Sequence, residues 1–543
     1  MPSLVSDNFR IFASQQFIES LEEPYNSSSN PSSEDSGANP TEAAASQAYR
    51  SKIYLFIGRS YNWNDTTANA IGEKYAGVST VSDFSPPNPV DSLDELSEIY
   101  DDMIAVKRVT RSDVSEVIRK RVWQPGVVYD MYKHDYGTIT NNVVKLSATG
   151  QSKLYDSQFY VMNKDFQVYK CIYNGQDPDV NQNGIVSTVE PTGTSTSIFT
   201  TSDGYKWKYM YTISISDYIK FVSSDFIPVR KDTSVQNAAV DGAIHQILIS
   251  NRGTGLTNGI YYTPVVGDGT SNCVVKITVS SLNSSSRITA VEVENNYVGA
   301  GYTYGTIDLS KCYTSAANAN TRSGTEISPG GAGANLEVII SPPGGHGSNA
   351  IHELGGYRVM INKSLDFLDG NGDIPINMQF RRFGLIEDPQ VGNLDFTAPT
   401  ATVCRAIKFD ANSTADFQNG EIIEQNITEA RGRVIHWDSV NKILRYYQNE
   451  YISATQEGDY NKNKFIAFSG NYSVVGRTSG VSLQPLTSFS TSPGTVLSGT
   501  AFENGYSSSE IKKYSGKILY VENRKPVFRS NDQIEDIKLV IEF

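Results

Sequence analysis

After about residue 125, apolar residues recur at every second position or in short continuous runs, which is the pattern of β-strands. The clearest predicted strands are QFYVMN, FQVYKCIY and YKWKYMYTISI, between residues 158 and 215. Gly and Asn, which favour turns, separate such segments, and the strand formers Tyr and Thr are abundant. The pattern predicts a mainly β fold with a few short helices.

The few predicted helices lie towards the N-terminus. Residues 8–22 predict an amphipathic helix with these apolar residues near one face: Phe9, Ile11, Phe12, Phe17, Ile18 and Leu21. A second helix is predicted at Leu93–Val106, and a third, short one begins at Ser112 with Glu116 in its first turn. Residues 26–48 contain no aromatic or large aliphatic side chain, so we expect a linker there.

Residues 244–340 contain a degenerate internal repeat. ILISNRGTGLTNGIYY (247–262) aligns with VEVENNYVGAGYTYGTI (291–307), and in each an alternating strand reaches an Asn and then a G-x-G. These glycines are expected to supply positive φ angles at tight turns. Neither G-x-G opens a helix, so neither fits a dinucleotide-binding loop. The repeat predicts a small β-domain built by duplication.

Composition narrows the possible partners. With 543 residues the chain is long enough for three or four domains, and its net charge of −13 argues against a nucleic-acid partner. No 18-residue apolar run and no secretory signal are found, so neither a membrane span nor export is expected. The cysteines form no C-x-x-C pair, which predicts free, buried thiols rather than zinc ligands or disulfides: Cys171, Cys273, Cys312 and Cys404.

One segment matches the spacing of a calcium loop. DVNQNGIVSTVE has the form D-x-N-x-N-G-x5-E, with a turn at Gly184. The candidate ligands are Asp179, Asn181, Asn183, the carbonyl of Ile185, and Glu190. A strand precedes the loop and Pro191 follows it, so the flanking helices of an EF-hand are not predicted. A polar turn rich in Asn and Gly is the alternative.

Other candidate chemistry is sparse. His346 and His352 lie six residues apart near Glu353, which is the wrong spacing for a paired-histidine metal site. The sequence has no G-x-S-x-G, H-E-x-x-H or phosphate-binding loop motif, and no cofactor is predicted. Its many carboxylates do not single out a glycosidase pair. Each tryptophan has a basic side chain nearby in sequence, which fits either cation–π pairs at an interface or ordinary core packing.

Six blocks of this sequence, taken in order, resemble a known family. They are IYLFIGRSYNW (53–63), PPNPVDS (86–92), RKRVW (119–123), QVYKCI (167–172), TSDGYKWKYMYTI (201–213) and GKILYVENRKPVFRSNDQIEDIKLVIEF (516–543). The family is the baseplate wedge subunit, gene product eight, of T4-like contractile-tailed phages. The motif residues are Gly58, Arg59, Trp63, Trp123, Asp203, Gly204, Tyr205, Trp207, Glu522, Asn523 and Arg524.

The resemblance implies a structural protein of the virion. A member of this family is expected to be an elongated, mostly β homodimer that binds other baseplate wedge proteins, with no catalysis, cofactor or small-molecule substrate. It would be assembled in the host cytoplasm and located in the tail baseplate. Two rival functions stay open, a carbohydrate- or receptor-binding tail protein and a glycan-degrading tail enzyme.

The chain is longer than compact members of that family, which indicates a cyanophage-type member with two inserted β-domains. The predicted parts are an N-terminal helix or arm (1–25), the linker (26–48), a core domain (49–243), the duplicated insertion (244–345), a core continuation (346–395), a second insertion (396–505) and strands that close the core (506–543). In the second insertion, GRVIHWDSVNKILRYYQ predicts two strands joined by a turn at Asp438-Ser439.

The last segment of the chain alternates like a half-buried strand. Its apolar set is Ile537, Leu539, Ile541 and Phe543. We expect this strand to pair in a central sheet and to close the core domain begun by strand 53–57, so that loss of the last seven residues prevents folding. Glu522 and Arg524 precede Pro526 and are expected to form a buried or interfacial ion pair.

Overall fold

The fold is mainly β, as the sequence predicts, with 42% of residues in strands and 12% in helices. The computed structural model describes residues 6–22, 52–64, 75, 78–140, 142–282, 285–366, 373–448, 466–489, 495–497, 500–530 and 532–543. The whole of the predicted linker at 26–48 therefore lies outside the described residues. None of the helices in these ranges is both long and apolar enough to span a membrane.

The α-helices are short apart from the first. They are Asp7–Glu22, Leu93–Asp102, Ile215–Phe221, Thr233–Asn237, Ala316–Thr321 and Ala350–Leu354, with 3-10 turns at Arg111–Asp113 and Leu154–Asp156. The first confirms the predicted helix, but its buried face is narrower than predicted. Ile11 and Ile18 are buried, whereas Phe9 and Phe12 are 61% and 56% exposed.

The other two predicted helices are partly wrong. The second begins at Leu93 as predicted, with Ser92 as its N-cap, but it ends at Asp102. The next residues form the buried strand Met103–Arg108, because an apolar, β-branched run pairs there with Ile53–Gly58. The third helix is only a 3-10 turn, and Glu116 lies in the strand Val114–Arg119.

The chain divides into two compact units. Unit 1 contains residues 1–16, 115–360 and 540–543, and unit 2 contains residues 17–114 and 361–539. Three strands carry the chain from one unit to the other, namely Val114–Arg119, Arg358–Leu365 and Glu535–Glu542. The predicted division into seven parts stays a prediction.

The remaining strands of unit 1 form several antiparallel sheets. They are Ile139–Thr140, Val143–Val144, Tyr160–Met162, Gln167–Tyr173, Phe199–Thr200, Lys206–Thr212, Phe226–Pro228, Ile244–Thr254, Gly259–Gly267, Ser271–Leu282, Ser285–Ala300, Gly305–Ile307 and Ala332–Ile340. One sheet confirms the strands predicted between 158 and 215: Gln167–Tyr173 pairs with both Tyr160–Met162 and Lys206–Thr212. Its aromatic side chains lie in the main apolar core of the unit.

The duplicated segment has an apolar core of its own, which includes Val265, Val275 and Ile277. Both G-x-G motifs follow the predicted pattern of a strand that reaches a tight turn. Gly253 and Gly299, the first glycine of each motif, have φ angles of 70° and 72°. A side chain at either position would be strained, which explains why glycine occupies both.

Unit 2 contains a five-stranded and a seven-stranded antiparallel sheet. Its strands are Ile53–Gly58, Met103–Arg108, Met378–Glu387, Gln390–Val391, Leu394–Asp395, Thr400–Thr402, Arg405–Lys408, Ile422–Glu424, Arg431–Asp438, Ile443–Tyr447, Val474–Gly476, Ser482–Leu483, Thr495–Leu497, Thr500–Phe502, Tyr506–Ser507 and Lys517–Arg529. The predicted pair within GRVIHWDSVNKILRYYQ is confirmed. The carboxylate of Asp438 accepts the Val440 and Asn441 amides at its turn.

The two C-terminal strands lie in different sheets. The five-stranded sheet runs in the order Thr400–Thr402, Met103–Arg108, Ile53–Gly58, Met378–Glu387, Lys517–Arg529. The strand that joins the sheet of strand 53–57 is therefore the penultimate one. The last strand, Glu535–Glu542, lies beside Arg358–Leu365 in another sheet, because the turn after Arg529 takes the chain out of the first sheet. Its alternation holds at Ile537 and Leu539, which are buried.

Candidate functional site

Apart from Glu522, the motif residues fall into two clusters, one in each unit. The Arg382 cluster of unit 2 contains Gly58, Arg59, Trp63, Glu95, Glu98, Asp102, Arg382, Asn523 and Arg524. The Trp207 cluster of unit 1 contains Trp123, Asp203, Gly204, Tyr205 and Trp207.

A buried network of ion pairs forms the centre of the Arg382 cluster. The guanidinium of Arg382 lies 2.9 Å from the carboxylates of both Glu95 and Asp102. A second guanidinium, that of Arg59, lies 2.5 Å from Glu98. Arg59, Glu95, Asp102 and Arg382 are each at most 2% exposed. Such a network fixes one arrangement of the chain, because any other arrangement leaves a buried charge unpaired.

The helix Leu93–Asp102 supplies all three carboxylates. Glu95, Glu98 and Asp102 are three and four residues apart, so they lie on one face of the helix. The strand Ile53–Gly58 approaches the end of this helix closely. A Cβ atom on Gly58 would lie 3.0 Å from the Asp102 carboxylate, which explains the glycine.

The C-terminal motif closes the same cluster. Asn523 accepts a hydrogen bond from Nε of Arg382 at 2.9 Å and donates one to the carbonyl of Pro87 at 3.0 Å. The indole of Trp63 donates to the carbonyl of Arg524 at 2.9 Å, across 461 residues of sequence. The blocks 53–63, 86–92 and 516–543 therefore meet in one place, although none of them is adjacent in the chain.

Aromatic rings cover the network. The Arg59 guanidinium lies 4.3 Å from the ring centres of both Tyr61 and Trp63. The basic side chain near this tryptophan therefore forms a cation–π contact, and the contact is buried within the chain. The hydroxyl of Tyr75 donates to Glu95 at 2.7 Å. Burial and this hydrogen bond raise the pKa of Tyr75. Burial alone would lower the pKa of Arg382, but the carboxylates of Asp102 and Glu98 outweigh it and raise that pKa.

The predicted Glu522–Arg524 ion pair forms, but it is not buried. Nε of Arg524 lies 2.7 Å from the Glu522 carboxylate, and the two side chains are 54% and 29% exposed. Adjacent strand residues face opposite sides of a sheet, so burial of Asn523 directs its two neighbours outwards. A role of this pair at an interface stays a prediction.

Stacked aromatic rings form the centre of the Trp207 cluster. The rings of Tyr205 and Trp207 are stacked with centres 5.3 Å apart, and both residues are fully buried. The indole of Trp123 donates to the Ser187 hydroxyl at 3.1 Å, and that hydroxyl donates to the Asp203 carboxylate at 3.1 Å. The motif segment 201–207 thus holds the loop around Ser187.

Asp203 is the polar anchor of this cluster. Its carboxylate accepts the backbone amides of Thr188 at 2.8 Å and Val189 at 2.9 Å. Burial raises the pKa of Asp203, but these amides and the Thr201 hydroxyl together lower it. Gly204 has a φ angle of 90°, which turns the chain back towards the strand Lys206–Thr212.

The predicted calcium ligands have other partners. Asp179 forms ion pairs with Arg287 at 2.9 Å and Arg252 at 3.1 Å. The carbonyl of Ile185 accepts the Tyr205 hydroxyl at 2.6 Å, and Glu190 accepts the amide of Lys164 at 3.0 Å. The side chains of Asn181 and Asn183 form no hydrogen bond in the described part of the chain, where the Asn181 carbonyl instead accepts the Gly184 amide at 2.9 Å. These contacts favour the polar-turn alternative, and calcium binding by this segment stays a prediction to be tested.

The carboxylate beside the two histidines is also paired within the chain. The carboxylate of Glu353 binds Nζ of Lys170 at 2.7 Å and the Gly347 amide at 2.7 Å. His346 is buried against the ring of Tyr132 instead. Within the described residues, no group of three or more His, Cys, Asp or Glu side chains could hold a metal ion.

The sequence interpretation missed Glu95, Asp102 and Arg382. A usable signal was present, because Arg382 lies in the otherwise apolar strand segment FRRFGLI and a buried strand charge needs a partner. The acids of the helix Leu93–Asp102 are three and four residues apart and share one face, so they were the natural candidates for that partner.

No protein-family model matches the sequence, and no curated protein matches it at a significant level.

Proposed function

We propose that this protein is a structural subunit of a phage tail baseplate wedge, a homodimer that binds neighbouring wedge proteins during assembly. The observation that carries the proposal is the convergence of three motif blocks on Arg382. Trp63 and Arg524, 461 residues apart, share a hydrogen bond there. The resemblance therefore lies in segments that together define one buried arrangement, rather than in scattered surface residues.

The chemistry of the two clusters supports a structural role. The motif charges Arg59 and Asp203 are held by other groups of the chain, and neither reaches a reactive partner such as a nucleophile with its base. Groups used in this way determine which surfaces the fold presents. A wedge subunit works through such pre-shaped surfaces, and stable interfaces of this kind bury about 2,000 Å² or more.

The carbohydrate-binding alternative has weaker support. Such a protein would be expected to present a platform of exposed aromatic rings on residues 244–345. In the described part of that segment, Tyr304 is the one large aromatic side chain that is more exposed than buried, at 60%. A single exposed ring is common on ordinary protein surfaces.

Light scattering on the purified full chain tests the proposal. We expect a dimer, with a mass twice that of the 59.7 kDa chain. A trimer would indicate a fibre or spike and would overturn the proposal. A second test is mass spectrometry of isolated tail baseplates of the encoding virus, in which the chain must occur in constant ratio to the other wedge subunits.

A further inference from the structure

Unit 1 contains a cavity of about 550 Å³ lined by basic side chains. Lys206 and Lys208 reach it from the strand Lys206–Thr212, His245 from the strand Ile244–Thr254, and His346 from the turn before the helix Ala350–Leu354. No Asp or Glu is among its lining residues within the described part of the chain. Neither of the proposed structural clusters uses these four side chains.

Neither lysine forms an ion pair within the described residues. Nζ of Lys206 donates to the amide oxygen of Gln246 at 2.9 Å, and Nζ of Lys208 donates to the carbonyl of Thr196, so both partners are neutral. The acids that act on them are paired elsewhere: Glu353, which acts on Lys208, is bound to Lys170, and Glu292, which acts on Lys206, is bound to Lys276 at 3.5 Å. Buried charges are costly unless they are paired, so the cavity has a deficit of negative charge.

His346 provides an independent observation. The residue is 4% exposed, and its Nδ1 is buried without a hydrogen-bond partner in the described part of the chain. Its ring lies edge-on to Tyr132 at 5.0 Å and 5.7 Å from the ring of His245. Buried polar groups are nearly always hydrogen-bonded, so an imidazole in this position calls for a ligand.

We propose that this cavity binds a small oxyanion, with a phosphate or carboxylate group held by Lys206 and Lys208 and a further hydrogen bond from His346. An ammonium group recognises such oxyanions as a point charge. The volume lies within the range of about 300–1,000 Å³ that is typical of small-molecule sites. The proposal assigns this protein a ligand that the resemblance does not imply.

Isothermal titration calorimetry on the full chain tests the site. The probes are inorganic phosphate and, separately, citrate, each compared with sodium chloride at the same ionic strength. We expect saturable binding of at least one probe, and the probe that binds more tightly identifies phosphate or carboxylate as the preferred group. We also expect proton uptake on binding, since the anion favours the charged forms of Lys208 and the two histidines.

Three variants locate the binding. Lys206→Met and Lys208→Met should each weaken binding by about tenfold or more. Lys311→Met, which removes an exposed lysine of the same unit, should leave binding unchanged. Without any anion, Lys208→Met should melt at or above the temperature of the unmodified protein, because it removes a charge that forms no ion pair.

A measurement on the unmodified chain covers the case in which a variant does not fold. Phosphate or citrate should protect Lys206 and Lys208, but not Lys311, from reductive methylation followed by mass spectrometry. The proposal is overturned if neither probe binds up to about 10 mM. It is equally overturned if binding persists unchanged in both cavity variants.

Discussion

At the scale of single residues, Arg382 is the side chain at the centre of the buried network of unit 2. It pairs with Glu95 and Asp102 and donates to Asn523, all in a buried site. Arg382→Met should lower the free energy of unfolding by about 3–5 kcal/mol, because it leaves buried carboxylates without their partner. Urea denaturation followed by tryptophan fluorescence measures the loss, with Trp63 as a reporter inside the cluster.

Arg524→Met is the matched control for that substitution. Its side chain is 54% exposed, and Trp63 binds its carbonyl rather than its guanidinium. This variant should lose less than about 1 kcal/mol, the usual value of an exposed ion pair. Equal losses in the two variants would contradict the assignment of the structural role to the buried network.

The four cysteines lead to a second prediction at this scale. All four are free and buried, as predicted from their spacing. Burial raises the pKa of Cys273, Cys312 and Cys404 to about 12 and that of Cys171 well above its usual value, so the reactive thiolate is scarce at pH 8. Ellman's reagent should find no fast-reacting thiol in the folded chain and four in guanidinium chloride. A fast-reacting thiol in the folded chain would show that one is accessible.

At the scale of elements, the loop at 179–190 can be tested as a calcium site against the alternative of a polar turn. Because its carboxylate at Asp179 is already paired with Arg252 and Arg287, calcium would have to displace two guanidinium groups. We therefore expect 1 mM calcium to leave the melting temperature of the full chain unchanged, and we expect the same of the control, 1 mM magnesium. Calcium-specific stabilisation that Asp179→Asn abolishes would restore the loop as a metal site.

The last strand allows a paired test on neighbouring positions. Leu539 is 5% exposed, whereas Val540 on the opposite face is 38% exposed. Leu539→Ala should cost about 2–5 kcal/mol of unfolding free energy and Val540→Ala well under half of that. Thermal melts of the two variants measure the difference. If the two variants melt alike, the strand does not bury one face. The expectation that the chain needs its last seven residues to fold would then have no support.

Elements were predictable where the information is local. Alternation and turn residues were sufficient for the hairpin around Asp438 and for the strands that contain Tyr169 and Trp207. The helix predicted to reach Val106 was too long, because pairing with a strand 50 residues earlier overrides helix propensity after Asp102. The Arg382 cluster could not be predicted as a whole, since its members come from four distant segments that only the fold brings together.

At the scale of the whole molecule, buried histidines couple stability to pH. Burial and neighbouring cations lower the pKa of His245 and His436 to about 4 and that of His346 well below its usual value. Lys206 and Lys208 face His245, Lys170 and Lys208 also face His346, and Arg445 and Asp438 face His436. In the unfolded chain these groups titrate near 6.5, so only the unfolded state takes up protons between pH 6.5 and about 4.

The sign of the effect follows from that difference in proton uptake. The histidine contribution to stability is complete above pH 6.5 and is lost as the pH falls towards 4, so the melting temperature should decrease from pH 7 to 5. Carboxylates with a lowered pKa, such as Asp203, add to the loss only nearer their usual value of 3.8. His436→Gln should make the decrease shallower, and an unchanged slope would exclude His436 as a contributor. If the cavity holds an anion, phosphate should flatten the remaining slope, because a bound anion favours the protonated form of His245 in the folded state.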